Sequence, residues 1–190
     1  MEKIKLIFIV ISLMAVFTSS AQKFKAGAIS GFSTSQIDRD TQKGYDKLSF
    51  FSGVFVKAKF SKILGAKVEL YYIGKGAKDS DDKIEIFKTQ LNYIEMPFLL
   101  TIKPLNNFEI DLGLSPAYLI SSKLTAMGYE VDESEYDINN YDFSGIFSLI
   151  YYFNNKIAIN VRHTYSITPI NDTPGWLNSN LNFGLVYNFN

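Results

Sequence analysis

The 190-residue sequence has no cysteine, a single histidine and a single tryptophan, and its 19 basic side chains equal its 19 acidic ones. Without cysteine there is neither a disulfide framework nor a thiol to carry a lipid. The balanced charge gives no reason to expect nucleic acid or an anionic surface as partner. Past the first twenty residues no apolar run approaches the ~20 residues that a membrane helix needs. What the chain has instead is aromatic residues, 12 Tyr and 16 Phe among them.

Lys3 and Lys5 form a basic start, Leu6 to Phe17 is apolar apart from Ser12, and Ser19-Ser20-Ala21 supplies small residues. This order predicts a secretory signal at 1–21, cleaved after Ala21, with the functional domain at 22–190. Its removal takes away Lys3, Lys5 and Glu2 and leaves 17 basic and 18 acidic side chains, a net of −1.

The remaining chain alternates at period two, the signature of strands. At the C-terminus Leu181, Phe183, Leu185, Tyr187 and Phe189 share one face, opposite Asn180, Asn182, Gly184, Val186 and Asn188. Ile157, Ile159, Val161 and Tyr165 oppose Asn160, Arg162, Thr164 and Ser166, and Phe108, Ile110, Leu112 and Leu114 oppose Glu109, Asp111, Gly113 and Ser115. Further strands are expected at 23–33, 48–60, 63–74, 90–103 and 142–153, making eight. The first is too rich in glycine, and the sixth too uniformly apolar, to be phased.

The connections alternate long and short without exception. "STSQIDRDTQKGYD", "GKGAKDSDDKIEIFK", "SSKLTAMGYEVDESEYDINN" and "TPINDTPGWLN" are long, while "FSKI", "KPLNN" and "FNNK" are short. An eight-stranded antiparallel transmembrane β-barrel of the outer membrane has this rhythm, with short periplasmic turns, long extracellular loops and both termini in the periplasm. A soluble barrel around a ligand alternates in the same way. The membrane version is favoured by the loop asymmetry, by tyrosines at strand ends (Tyr71, Tyr72, Tyr93, Tyr118, Tyr151, Tyr152, Tyr187), as in interfacial girdles, and by an end one residue after Phe189.

"LGAKVELYYIGKGAK" (64–78), "LNYIEMPFLLTIKP" (91–104) and "FEIDLGLSPAYLISSK" (108–123) resemble successive strands of the PorT-like outer-membrane β-barrel family of Bacteroidota. The resemblance rests on Glu69, Tyr71 or Tyr72 and Gly76-Ala77, on Tyr93, Glu95 and Pro97, and on Arg162 in the penultimate strand, and it runs the length of the mature chain. It implies an outer-membrane barrel with no cofactor. It also implies, as a candidate role, an accessory of a secretion or gliding machinery.

With Ile94, Met96, Phe98 and Leu100 facing lipid, Tyr93 and Glu95 face the interior, and the same phasing turns Lys67 and Glu69 inward. Eight strands leave a bore that side chains fill, and a buried charge there needs a partner. Glu69 and Glu95 are therefore expected to share one polar network with Arg162, aided by Lys67 or Lys103. Catalysis by the two carboxylates is the competing reading, but His163 has lipid-facing parity and no serine lies in a nucleophile elbow. The acidic run "EVDESEYD" (130–137) lacks the glycine and spacing of a calcium loop, so no metal site is expected. Tyr187 and Phe189 are expected to contribute to recognition by the barrel-assembly machinery. The expected surroundings are outer-membrane lipid and lipopolysaccharide, with a protein partner at the loops or turns. The alternative function is a small lipid- or ligand-binding barrel, or a lipid-modifying enzyme.

Overall fold

The computed structural model describes residues 24–40, 44–81, 84–131, 137–172 and 174–189. The signal segment, and Asp132 to Tyr136 of the acidic run, lie outside them. Ten strand segments follow in order: β1 (Phe24–Asp38), β2 (Lys47–Lys59), β3 (Leu64–Asp81), β4 (Ile84–Glu95), β5 (Phe98–Leu105), β6 (Phe108–Ala126), β7 (Tyr129–Val131), β8 (Tyr141–Tyr152), β9 (Ile157–Ser166) and β10 (Leu177–Asn188). All pairings are antiparallel, and β1 pairs with β10 from Gly27↔Asn188 to Asp38↔Leu177, which closes the sheet on itself. Phe189 N–H donates to Ala26 O at 2.8 Å and extends that seam. A closed ring leaves no open edge, which is what a sheet needs in hydrocarbon.

β4 and β5 form a single stave, so the ring has eight. Tyr71↔Glu95 and Val68↔Phe98 on one side, and Glu95↔Ala117 and Phe98↔Leu114 on the other, keep one register across Met96 and Pro97. The interruption is local. Proline has no N–H for the ladder, yet Pro97 O still accepts from Glu69 N at 3.0 Å, and Met96 N donates to Pro116 O at 3.0 Å. Alternation therefore passes through the break undisturbed, with Ile94, Met96, Phe98 and Leu100 outside and Tyr93, Glu95 and Leu99 inside.

The expected phasing of β6, β9 and β10 holds: Leu112, Val161, Phe183, Leu185 and Tyr187 form part of an apolar outer band, while Glu109, Asp111, Arg162 and Asn182 are buried. The unphased first and sixth strands resolve as Ile29, Ser33, Ser35 and Ile37, and as Asp142, Ser144, Ser148 and Ile150, facing in. Glycine makes room for part of the filling: a Cβ on Gly184 would stand 2.7 Å from Cζ of Phe51, whose ring packs against β10 there.

Two expectations need correction. The connection expected at 74–88 is largely strand and the one expected at 121–140 is partly so, since β3 runs to Asp81, β4 starts at Ile84, β6 runs to Ala126 and β7 folds back onto it. Gly74 and Gly76 read as loop residues, but Gly76 sits in the ladder opposite Gln90 at φ +131, a conformation that favours glycine. The tyrosines also divide between the two faces. Tyr118, Tyr151 and Tyr187 face outward, but Tyr71, Tyr93 and Tyr152 are buried in the lumen. Adjacent strand residues point opposite ways, so Tyr71 and Tyr72, or Tyr151 and Tyr152, cannot both belong to a girdle.

Candidate functional site

The barrel interior is a column of charge. Buried along it are Lys57, Lys67, Lys75 and Arg162 together with Glu69, Glu95, Glu109, Asp111 and Asp142. Inward parity on β2, β3, β4, β6, β8 and β9 brings them together, and the bore is narrow enough for strands on opposite walls to touch. Nearest the short turns, Lys57 Nζ lies 2.7 Å from Glu109 Oε2 and donates to Tyr152 OH at 3.0 Å. Lys67 comes next, paired closely with Asp111, 3.4 Å from Glu69 Oε1 and 3.8 Å from Glu109 Oε1.

At mid-height the Arg162 guanidinium grips Glu69 with two bonds, Nη1 to Oε2 at 2.7 Å and Nη2 to Oε1 at 2.9 Å, while its Nε donates to Ser148 Oγ at 2.8 Å. This is the fork-to-fork geometry that suits arginine and carboxylate. Its guanidinium carbon lies 5.6 Å from the centre of the Tyr71 ring. Tyr71 OH in turn donates to Glu95 Oε2 at 2.5 Å, and Ser115 Oγ reaches the same oxygen at 3.1 Å. Lys75 closes the upper part, 2.6 Å from Glu95 Oε1 and 2.9 Å from Asp142 Oδ2, and Asn178 Nδ2 donates to Asp142 at 3.1 Å.

Of the expected network, Lys67, Glu69 and Arg162 meet directly. Glu95 does not touch Arg162; Lys75 neutralises it, and Tyr71 is the link between the two. Lys103 is not a member: it is half-buried near the short turns, with Nζ 5.0 Å from the centre of the Tyr152 ring. Sequence reasoning missed Lys57, Lys75, Glu109, Asp111 and Asp142 as members. Glu109 and Asp111 carried the parity signal, whereas Lys75 was hidden by its flanking glycines. Tyr187 and Phe189 face outward, with ring centres 6.0 Å apart in an edge-on arrangement. His163 is also on the outer face.

Above the column, Ile170, Asn171 and Trp176 are buried at the mouth between β9 and β10. Trp176 N–H donates to Asn171 Oδ1 at 2.7 Å, and Ile170 N–H to Trp176 O at 2.8 Å, so this connection folds over the lumen. The bore is plugged along its length and capped.

The profile of the outer membrane protein beta-barrel domain matches residues 19–172. The chain belongs to that family. It is an outer-membrane protein, and the short turns of a family barrel lie in the periplasm. A comparison with curated proteins gives no match. Among solved structures, the attachment invasion locus protein Ail of Yersinia pestis is similar at 12% identity and a TM-score of 0.55, covering 87% of this chain and 98% of its own. Neisserial surface protein A is similar at 11% identity and a TM-score of 0.54, covering 90% and 100%. Ail in complex with the heparin analogue sucrose octasulfate aligns with a TM-score of 0.54 at 13% identity, covering 87% and 99%. At these identities the likeness is one of fold: small, closed outer-membrane barrels.

Proposed function

We propose that this family barrel is a sealed, non-enzymatic anchor that binds a protein partner through the part of its sheet that rises above the membrane. The observation behind it is the contrast between a filled lumen and over-long strands. β6 stays paired with β8 only as far as Tyr118↔Tyr141, but it continues beside β4 and β7 to Ala126. A tilted strand crosses the bilayer in about 9–11 residues, and β6 has 19. The turn and short strand β7 that follow this excess carry well-exposed Met127 and Tyr129, and Tyr141 stands at the rim. Exposed aromatic and methionine side chains of this kind are typical of interface cores.

The resemblance to PorT-like barrels suggests an envelope assembly, such as secretion or gliding machinery, as the partner. Non-enzymatic action fits the paired state of Glu69 and Glu95 and the lipid-facing position of His163. Insertion by the barrel-assembly machinery, guided by Tyr187 and Phe189, belongs to the same reading. The test is affinity purification of the tagged barrel from its native outer membrane, beside a Met127→Ser/Tyr129→Ser/Tyr141→Ser variant. A stoichiometric envelope protein that is lost with the variant is expected; equal recovery with both would overturn the proposal.

A second reading, a lipid-binding barrel, has one observation in its favour. An apolar groove of about 630 Å³ runs across β2, β1, β10 and β9 on the outer wall, between Phe32, Phe50, Ile159, Phe183 and Leu185, with the small Ser30 at its floor. Defined lipid retained by the purified protein, and displaced by Ser30→Phe, would favour it.

A further inference from the structure

Charge is distributed unevenly between the two ends of this barrel. At the extracellular end acids and bases are mixed: the described residues include Asp38, Asp40, Asp46, Asp79, Glu130, Asp137 and Asp172 beside Arg39, Lys78, Lys88 and Lys123. The periplasmic end consists of the turns at 60–63, 106–107 and 153–156 and the strand ends beside them, and it carries Lys25, Lys57, Lys59, Lys62, Lys103 and Lys156. Among the described residues its one carboxylate is Glu109, already engaged by Lys57 at 2.7 Å. In the ladder, Lys25 stands directly opposite Lys57, and Lys57 directly opposite Lys67. Like charges in register across strands are destabilising. Lys67 is answered by Asp111 and Glu69, and Lys57 by Glu109. Among the described residues no carboxylate forms an ion pair with Lys25, Lys59 or Lys103, although the charge of Glu109 reaches Lys103 from farther off.

These three lysines converge on one place. With Lys57, Tyr152, Asn107, Asn154 and Asn188 they line a cavity of about 90 Å³ that opens at the periplasmic mouth. That volume corresponds to a few water molecules, too small for a chain and adequate for a compact oxyanion. Tyr152 limits the depth of the cavity, since its hydroxyl is fixed between Lys57 and Glu109. Lys103 Nζ rests on the face of its ring, so this ammonium is held at the wall instead of swinging free. Asn154 is also set in place, its Oδ1 accepting from the N–H groups of Lys156 and Ile157 at 2.8 Å. That leaves its amide N–H₂ as a further donor at the rim. A small pocket lined by ammonium and amide donors, with its one carboxylate neutralised, has the chemistry of an anion site.

We propose that the periplasmic mouth of the barrel binds a phosphate group, with Lys25, Lys59 and Lys103 as its cationic ligands. Two sources offer that group on this side of the membrane: a phospholipid headgroup at the rim, or a soluble phosphate compound in the periplasm. The site is independent of the partner surface at the opposite end.

The whole folded barrel would be placed in nanodiscs of phosphatidylcholine alone and titrated with inorganic phosphate, following the amide NMR signals of Asn107, Asn154 and Asn188. In parallel, nanodiscs containing phosphatidylglycerol would be dissolved and lipid retained on the protein read by native mass spectrometry. Saturable NMR shifts in the first arm identify a soluble ligand, and selective retention of phosphatidylglycerol in the second identifies a headgroup. Either supports the site, provided that Lys59→Gln/Lys103→Gln weakens it roughly tenfold or more while Lys78→Gln/Lys123→Gln, an equal charge loss at the far end, does not. Both lysines of the first variant are at least partly exposed, so folding should survive, and a heat-modifiable gel shift checks that it has. Binding in neither arm, or equal weakening by both double variants, would overturn the proposal.

Discussion

The two halves of the lumen are built from the same residue types but balance their charge differently. Below Tyr71, Lys57, Lys67 and Arg162 meet Glu69, Glu109 and Asp111, cation for carboxylate, and the central pair is bidentate. Above it, Lys75 alone serves both Glu95 and Asp142. The other buried ammonium of this half, Lys47, donates to Ser49 Oγ at 2.8 Å, and the two carboxylates are also served by neutral donors, Tyr71 and Ser115 on Glu95 and Asn178 on Asp142. A buried carboxylate needs donors more than it needs a formal countercharge. The lower half uses ion pairs for this, while the upper half relies partly on hydroxyl and amide groups. The lower half should therefore depend more on any single cation than the upper half does.

Opening the seam is the change that would abolish both halves together. Deletion of residues 187–190 removes the ladder partner Asn188 of Gly27 and the bond from Phe189 to Ala26. Loss of the heat-modifiable gel shift of a folded barrel is expected, and normal insertion of the truncated protein would show that closure does not require this end.

Arg162→Met comes next. It leaves Glu69 buried with Lys67 at 3.4 Å as its remaining cation, at an expected cost of about 3–5 kcal/mol. Glu69→Gln in that background should restore part of the loss, whereas Glu95→Gln should simply add its own effect. Urea unfolding in detergent or bilayers measures these three variants and Glu95→Gln alone; rescue by Glu95→Gln instead would mean that the two halves are one unit.

Lys75→Met should cost less than Arg162→Met, about 3 kcal/mol at the low end of the range for a broken buried pair, because neutral donors already serve its carboxylates. The same unfolding series compares them, and a larger loss for Lys75→Met would reverse the comparison. Tyr71→Phe should have the smallest effect, about 1–3 kcal/mol for one lost donor to a buried carboxylate. Its effect should be non-additive with Lys75→Met, since both serve Glu95, and close to additive with Glu69→Gln. A double-mutant cycle decides this.

Much of the architecture was legible because a barrel wall writes its two environments into alternate residues. The faces of β6, β9 and β10 followed from period two alone, and Glu95 was readable as inward because Ile94, Met96 and Phe98 bracket it. What was not legible depends on heights and distances across the bore. Parity places Glu69, Glu95 and Arg162 inside, but it does not say that Arg162 lies level with Glu69 and one step short of Glu95. That follows from strand stagger, which is set around the whole ring. Lys75 was missed for a local reason, its place between Gly74 and Gly76, which imitates a turn. The lone cations at the periplasmic mouth were obscured by a net charge near zero, since the sum conceals how acids and bases are sorted between the ends.

The span of the ion pairs also bears on how the chain comes to be folded. Lys57 and Glu109 are 52 residues apart, Lys75 and Asp142 are 67, and Glu69 and Arg162 are 93. None of these pairs exists in a hairpin or in a half-built sheet; each requires the opposite wall. A flat intermediate lying in the bilayer would present the same lysines and carboxylates to hydrocarbon, where each is costly. Entry into the membrane and curling of the sheet must therefore advance together, with the charged face kept wet until the far wall arrives. Long-range closure of this kind is intrinsically slow, so the interior column should act as a brake on spontaneous insertion and make a folding catalyst useful.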